Sequence, residues 1–270
     1  MDSVKLLKVS IITVVFNGEQ TIEQTILSVI NQTYKNIEYI IIDGKSVDKT
    51  ITIIKKYEDQ ISYWISEPDS GIYDAMNKGI KIATGDIIGI INADDWYEID
   101  AIEKNVDFFR NNTNYDALCG DILVYLQMKS GLFRKRNASN IDCETLNREM
   151  TIGHPSLFVR KTFYEKYGMF DSKIKITADY DLVLRAVLKG ANICYMPNII
   201  ANFRLGGSSG DIWKTNSDLI KVRMKNKIRG DIQIRAFISD VVKFLYEIVY
   251  NNLSDKRKLA LKKNRGWEKI

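Results

Sequence analysis

Residues 9–16 (VSIITVVF) form an almost unbroken apolar, β-branched run, the pattern of a strand covered on both faces. The run stops at Asn17-Gly18, and residues 19–30 then place Ile22, Ile26, Val29 and Ile30 on one stripe, which predicts an amphipathic helix. The alternation repeats. A strand over 37–42 ends in Asp43-Gly44, Ser46 and Asp48 offer caps to a helix reaching 56, and a third strand occupies 61–65. Asp69-Ser70-Gly71 opens a helix reaching 83, Thr84-Gly85 stops it, and a fourth strand over 86–91 ends in Asn92-Ala93-Asp94-Asp95. Strands and helices of these lengths are βαβ units, and right-handed crossovers assemble them into a mainly parallel sheet with helices on both faces, an α/β fold. The polar residues Asn17, Asp43, Glu67, Asp69, Asp94 and Asp95 all follow strands, so they share the edge where open α/β sheets bind ligands.

Beyond Tyr115 the pattern changes. Strands over 117–128 and 132–136 flank Ser130-Gly131 and predict a hairpin, which makes the sheet mixed. A strand over 156–160, a helix over 178–189 stopped by Gly190, and strands over 192–196 and 199–205 follow, then the flexible run Gly206 to Gly210 and a mainly helical tail. In that tail Ile234, Phe237, Ile238, Val241, Leu245 and Ile248 fall on one face of a helix. The 270 residues, 45% apolar and 27% charged, are enough for one large domain with an appendage: residues 1–210, in halves 1–97 and 98–210, and a helical extension over 211–270. Charge sharpens that division. The net +5 is made of +8 in residues 211–270 (15 Lys and Arg against 7 Asp and Glu) and −3 in the rest. No run approaches the ~20 apolar residues of a spanning helix, and the N-terminus lacks signal-peptide regions, so a cytoplasmic location is expected.

The chemistry open to this chain is narrow. Cys119, Cys143 and Cys194 have no CxxC spacing, which argues against a disulfide framework or a thiolate zinc site, and a single histidine, His154, argues against relays and multi-histidine metal centres. Carboxylates must therefore do any acid–base or metal work. Gly44-Lys45-Ser46 ends like a Walker loop, but Tyr39 stands where its first glycine is required, and Asn17 to Ile22 does not match a dinucleotide fingerprint. The Asp94-Asp95 pair suits Mg²⁺ or Mn²⁺ held partly by substrate phosphates; a hydrated turn capping a helix near Glu98 explains the same pair.

Four stretches in order, Thr13 to Glu19 (TVVFNGE), Ile42 to Thr50 (IDGKSVDKT), Asp69 to Gly79 (DSGIYDAMNKG) and Asn92 to Asp95 (NADD), resemble glycosyltransferase family 2, inverting enzymes of the GT-A fold. A looser similarity continues through His154-Pro155-Ser156 and Ala178 to Leu182 (ADYDL). The resemblance implies a nucleotide-diphospho-sugar donor, usually a UDP-sugar, with residues 98–210 facing the acceptor, a glycan or a polyprenyl-diphosphate-linked glycan of a bacterial surface polysaccharide. It implies Asp43 on the uracil, Thr13, Val15, Asn17 and Glu19 along the base and ribose, and Asn77 near the donor. Asp94 and Asp95 would hold metal and ribose, and Asp179 would be the general base. Asp181 fits better as a complement to a helix N-terminus. His154 touches diphosphate, metal or acceptor, or is simply a satisfied lone histidine. Arg204 and Gly206 to Gly210 read either as a closing loop over the donor phosphates or as a plain linker. Asn92 stands where the family often has Asp, and Lys45 where it often has Gly, so weaker metal binding is expected. Without a QxxRW motif or membrane spans, one sugar is added per encounter.

Two other classes compete. A sugar-nucleotide nucleotidyltransferase needs a basic, glycine-rich loop after the first strand, where Asn17-Gly18-Glu19-Gln20 stands, and a non-catalytic nucleotide-sugar-binding module would keep the pocket without turnover. The acidic strand edge argues against nucleic acid. The apolar face of the tail is expected to pack on the catalytic domain or in a homodimer, or, with the basic residues beyond it, to meet an anionic membrane as a peripheral protein.

Overall fold

The computed structural model describes residues 6–126, 132–136, 141, 143–205, 212–251 and 268–269. Strands β1 (Val9–Val15), β2 (Ile37–Asp43), β3 (Tyr63–Ser66) and β4 (Ile87–Asn92) run parallel in the lateral order β3-β2-β1-β4. The chain thus steps one way from β1 to β2 and the other way to β4, which makes the β1/β4 boundary a topological switch point. The helices between them are α1 (Ile22–Ile30), α2 (Thr50–Lys56) and α3 (Ile72–Ile82). After the short β5 (Trp96–Tyr97) and α4 (Ala101–Asn111), the sheet continues through β6 (Ala117–Leu126), β7 (Leu132–Arg136), β8 (Phe158–Arg160) and β9 (Ile193–Leu205). β8 lies antiparallel between β4 and β6, β6 and β7 pair antiparallel as the hairpin pattern predicts, and β9 runs parallel to β6. A two-residue strand, β10 (Glu268–Lys269), pairs with β7, for ten strands among the described residues. This is a mixed sheet flanked by helices, the α/β arrangement the sequence pattern predicts.

The strands were legible because all seven residues of β1 are buried, and successive side chains serve two cores. Ile12 and Val14 face α3 and α7 (Ala178–Leu188), packing with Tyr73, Met76, Ile80 and Leu182; Ile11 and Val15 face α1 and α4, packing with Ile22, Ile26 and Val106. Two sequence readings differ. The strands expected over 192–196 and 199–205 are one strand, continuous through Pro197, which absorbs a register shift opposite Gly120 and Asp121. A two-turn helix, α6 (Lys161–Tyr167), follows the four-residue α5 (Cys143–Leu146) and β8 and had no clear signal, because its apolar positions Phe163 and Tyr167 are too few to show a period.

The tail forms α8 (Ile212–Lys225) and α9 (Gly230–Asn251). α8 is fastened to α7 and the segment before it: Lys225 pairs with Asp171 (2.7 Å) and Asp181 (3.1 Å), and Asn226 donates to Asp181 (2.9 Å). Arg223, almost wholly buried, pairs with Asp240 of α9 at 2.9 Å and also donates to the Arg148 carbonyl. That pair holds the Ala236–Asp240 side of α9 inward. The apolar stripe is left outside, with Ile234, Phe237, Ile238 and Leu245 each more than half exposed, so it does not pack on the catalytic domain as one sequence reading expected. Ile248 and the Gly206–Gly210 run lie outside the residues whose side chains are described.

Candidate active site at the carboxyl edge of the sheet

Pairing register places Ser66, Asp43 and Val15 side by side at the strand ends, with Asn92 beside Val14. The two loops that follow β1 and β2 are stitched to each other by reciprocal bonds. Asn17, Gly18 and Glu19 donate their N–H groups to Ser46 Oγ, Thr50 Oγ1 and Asp48 Oδ2 at 2.7–3.0 Å. In return Asn17 Oδ1 accepts the N–H of Val47 (2.9 Å) and Glu19 Oε2 that of Lys49 (3.0 Å). Asn17 and Lys45 both adopt left-handed backbone (φ 50° and 67°), the second where the family often has glycine. Asp48 caps the start of α2 through Thr50, whereas Ser46, expected to cap that helix, bonds to Asp43 and Asn17 instead.

Thr13, Asn17, Glu19 and Asp43, all assigned to the base and ribose side, therefore have structural partners, and the assignments of Thr13 and Val15 are corrected. Thr13 is fully buried, with its hydroxyl 3.1 Å from that of Tyr39, and Val15 points into the core, so their side chains cannot line a donor. Glu19 caps α2 with its carboxylate. Asp43 is fully buried and accepts the Ser46 N–H (2.9 Å) and the hydroxyls of Ser46 (2.5 Å) and Ser66 (2.6 Å), so its position is rigidly set. Phe16, which sequence reasoning passed over as the last strand residue, is 65% exposed beside Gly44. Its ring face is available for a planar base.

Across the switch point, Asp94 and Asp95 occupy the turn between β4 and β5. Asp95 is fully buried; its Oδ1 accepts the N–H of Arg204 (2.9 Å), and its Oδ2, like Oδ1 of nearby Asn92, has no partner among the described residues. Burial pushes both carboxyl groups up, that of Asp95 well above the usual range because Asp94 adds its charge. A buried acidic pair with an orphaned oxygen lacks positive charge, and hard oxygen ligands left open on one side fit a divalent cation completed by substrate phosphates. No group of three or more carboxylate, histidine or cysteine ligands occurs among the described residues. Arg204 ends β9 with its guanidinium on Gln24 Oε1 (2.8 Å) and over the Trp96 ring (5.3 Å).

Asp179 stands in the first turn of α7. Its Oδ1 accepts from the Tyr73 hydroxyl (3.2 Å), and Oδ2 has no partner among the described residues. Thr177, at the N-cap of α7, makes no side-chain cap, and its hydroxyl is buried without a partner among the described residues. Asp181 accepts from Arg185, Lys225 and Asn226 and is fully buried, a structural hub as its sequence position implied. One further assignment is corrected. Asn77 donates to the Phe170 carbonyl (2.9 Å) and accepts its N–H (3.0 Å), which uses both ends of its amide on the backbone and removes it from the donor. His154 shares with Asp179 a small cavity of about 10 Å³ lined by Met150, Tyr164 and Phe170, and its Nε2 is buried with no partner among the described residues. Burial lowers the imidazole pKa, with the charge of Asp179 opposing, so His154 is neutral near pH 7.

The model of Glycosyl transferase family 2 matches residues 10–171, more than half of the chain. The chain belongs to glycosyltransferase family 2. An uncharacterized glycosyltransferase of Mycobacterium tuberculosis is 33% identical over 186 residues, covering 67% of this chain and 69% of the relative. Another from Rickettsia typhi is 33% identical over 181 residues, and there the chain spans only 57% of the relative's length. A PGL/p-HBAD biosynthesis glycosyltransferase of Mycobacterium bovis is 28% identical over 75% of this chain and 79% of its own. Two solved structures share the fold. Staphylococcus aureus TarS 1-349 in complex with UDP-GlcNAc superposes with TM-score 0.68 at 14% identity over 93% of this chain and 78% of that one. Mannosyltransferase PcManGT of Pyrobaculum calidifontis, in complex with GDP-Man and Mn²⁺, gives 0.65 at 15% identity over 97% and 81%.

Proposed function

We propose that this family 2 enzyme transfers one hexose or N-acetylhexosamine from a UDP-sugar to a hydroxyl of a glycan or lipid-linked acceptor in bacterial polysaccharide synthesis, inverting the donor linkage to give a β-product. The observation that carries the reading is the pairing of an orphaned acidic turn, Asp94 and Asp95, with a separate carboxylate, Asp179, that keeps one oxygen open. Different surroundings give the carboxylates different tasks. Phe16 and the stitched loops around Asp43 receive the nucleotide. Asp94 and Asp95 would hold Mg²⁺ or Mn²⁺, which when bound neutralises charge on the diphosphate leaving group. Asp179 Oδ2 takes the proton of the acceptor hydroxyl as that oxygen attacks the anomeric carbon. Arg204, whose backbone N–H is held by Asp95, adds positive charge toward the phosphates.

The acceptor reading extends to the tail. The exposed apolar face of α9, in a segment of net charge +8, supports docking on an anionic membrane surface, which would bring the enzyme to lipid-linked acceptors. No helix among the described residues is long and apolar enough to cross a membrane. The decisive experiment is thermal stabilisation by a panel of UDP- and GDP-sugars with Mn²⁺, Mg²⁺ or chelator, since a ligand of the native state raises its stability by mass action. Metal-dependent stabilisation by a UDP-sugar supports the reading; stabilisation by none of the panel would sink it.

A further inference from the structure

The turn that carries Asp179 is held by two distant parts of the chain. From α3, the Tyr73 hydroxyl reaches the carbonyl of Ile176 (2.5 Å) and Asp179 Oδ1 (3.2 Å). From α8, Asp218, 5% exposed, accepts on one oxygen the N–H groups of both Lys175 (3.0 Å) and Ile176 (3.1 Å), while its other oxygen takes Lys221 (2.9 Å). Residue 176 is thus gripped at its N–H by one helix and at its carbonyl by another, three residues before the carboxylate. Four residues along α3 from Tyr73, Asn77 holds both backbone groups of Phe170. The Asp69–Gly79 stretch, which resemblance connects with the donor, therefore turns two of its side chains toward the segment that leads into Asp179.

We infer that Tyr73 and Asp218 are positioning residues for Asp179, fixing the residue 176 backbone from both sides so that Oδ1 is committed to the Tyr73 hydroxyl and Oδ2 is left for the acceptor. The inference rests on Asp179 being the base. A phenol carries one proton, shared here between the Ile176 carbonyl and Asp179 Oδ1, so removing it frees the carboxylate to rotate and unpins the turn together. Orientation errors of this kind reduce turnover with little effect on binding remote from the reacting atoms.

The test compares Tyr73→Phe, Asp218→Asn and Asp179→Asn in the full chain. Affinity for UDP with Mn²⁺ is read by calorimetry, turnover as nucleotide release from the donor selected by the thermal panel, and exchange of the Lys175 and Ile176 amides by hydrogen–deuterium exchange. UDP affinity and donor KM should be unchanged in all three. Turnover should fall by about 10- to 100-fold in Tyr73→Phe and Asp218→Asn, with faster amide exchange at 175 and 176 in the latter. Asp240→Asn, which loosens the α8–α9 ion pair and leaves the Tyr73 and Asp218 bonds to residues 175–179 in place, serves as the stability control and should keep its turnover per folded molecule. Wild-type turnover in Tyr73→Phe and Asp218→Asn beside an inactive Asp179→Asn would overturn the positioning role alone. Weakened UDP binding in Tyr73→Phe would return the α3 stretch to the donor side, and an equal loss in Asp240→Asn would make the Asp218 effect one of stability. Normal turnover in Asp179→Asn would remove the base itself.

Discussion

Asp94 and Asp179 are both carboxylates at strand or helix ends, yet their neighbours separate their roles. Asp94 sits next to a buried acidic partner with an orphaned oxygen, a place that favours a cation; replacing it with alanine should weaken UDP binding in the presence of Mn²⁺ by more than about tenfold, ~1.4 kcal/mol, as calorimetry would show. Unchanged affinity would place the cation elsewhere. Asp179 shares a cavity with a neutral imidazole and has a phenol on one oxygen, so Asp179→Asn preserves the shape and removes the proton acceptor. Donor affinity should survive while transfer falls by about 10²–10⁴-fold; near-normal transfer would reassign the base. Motif reading could mark both aspartates because their spacing from strand and helix ends is local. It could not separate residues that face a ligand from residues that build its site: Thr13, Glu19 and Asn77 belong to the second kind, and only their partners Tyr39, Lys49 and Phe170, distant in sequence, reveal it.

Among the elements, β1, β2 and β4 were legible because each carries a run of residues buried on both faces, while β9 read as two because Pro197 interrupts its apolar pattern. The packing of α3 on β1 depends on Gly79, where a Cβ would collide with the side chain of Ile12. Alanine gains ~1 kcal/mol in helix propensity, but overpacking against β1 costs about 1–3 kcal/mol, so Gly79→Ala should be net destabilising in a urea titration. An increase in the midpoint would show that α3 can shift at no cost. At the opposite end of the sheet, Glu38 joins β2 to the starts of β1 and β4 by accepting from Lys8 (2.7 Å), the Ser10 hydroxyl (2.5 Å) and both the N–H (2.7 Å) and hydroxyl (2.5 Å) of Thr84. Burial alone would raise its pKa, but these donors outweigh it and bring it down to about 2. A depressed carboxylate contributes stability that is complete above its unfolded value and is lost as pH falls toward the folded one. Wild type should therefore lose an advantage of the order of 1 kcal/mol over Glu38→Gln, discounted for solvent screening, between pH ~4.5 and 2; a constant difference across that range would contradict the assignment.

For the whole molecule, the tail joins the catalytic layer on one side and leaves an apolar face on the other. Co-sedimentation with anionic vesicles that weakens with salt, and is reduced by Ile238→Asp with Val242→Asp, is the expected behaviour at ~1 kcal/mol per basic residue near the surface; a salt-insensitive dimer in size-exclusion runs, without vesicle binding, would give the face to a second copy. The fastening side has its own consequence. The family match ends at residue 171, whereas Asp218, Lys225 and Asn226 come after it and reach back to 171–181. Chimeras that exchange C-terminal segments between relatives would break this registry unless both sides travel together. A graft carrying residues 168–226 as one cassette should keep its activity, while one joined at 206 should express as a folded but sluggish enzyme.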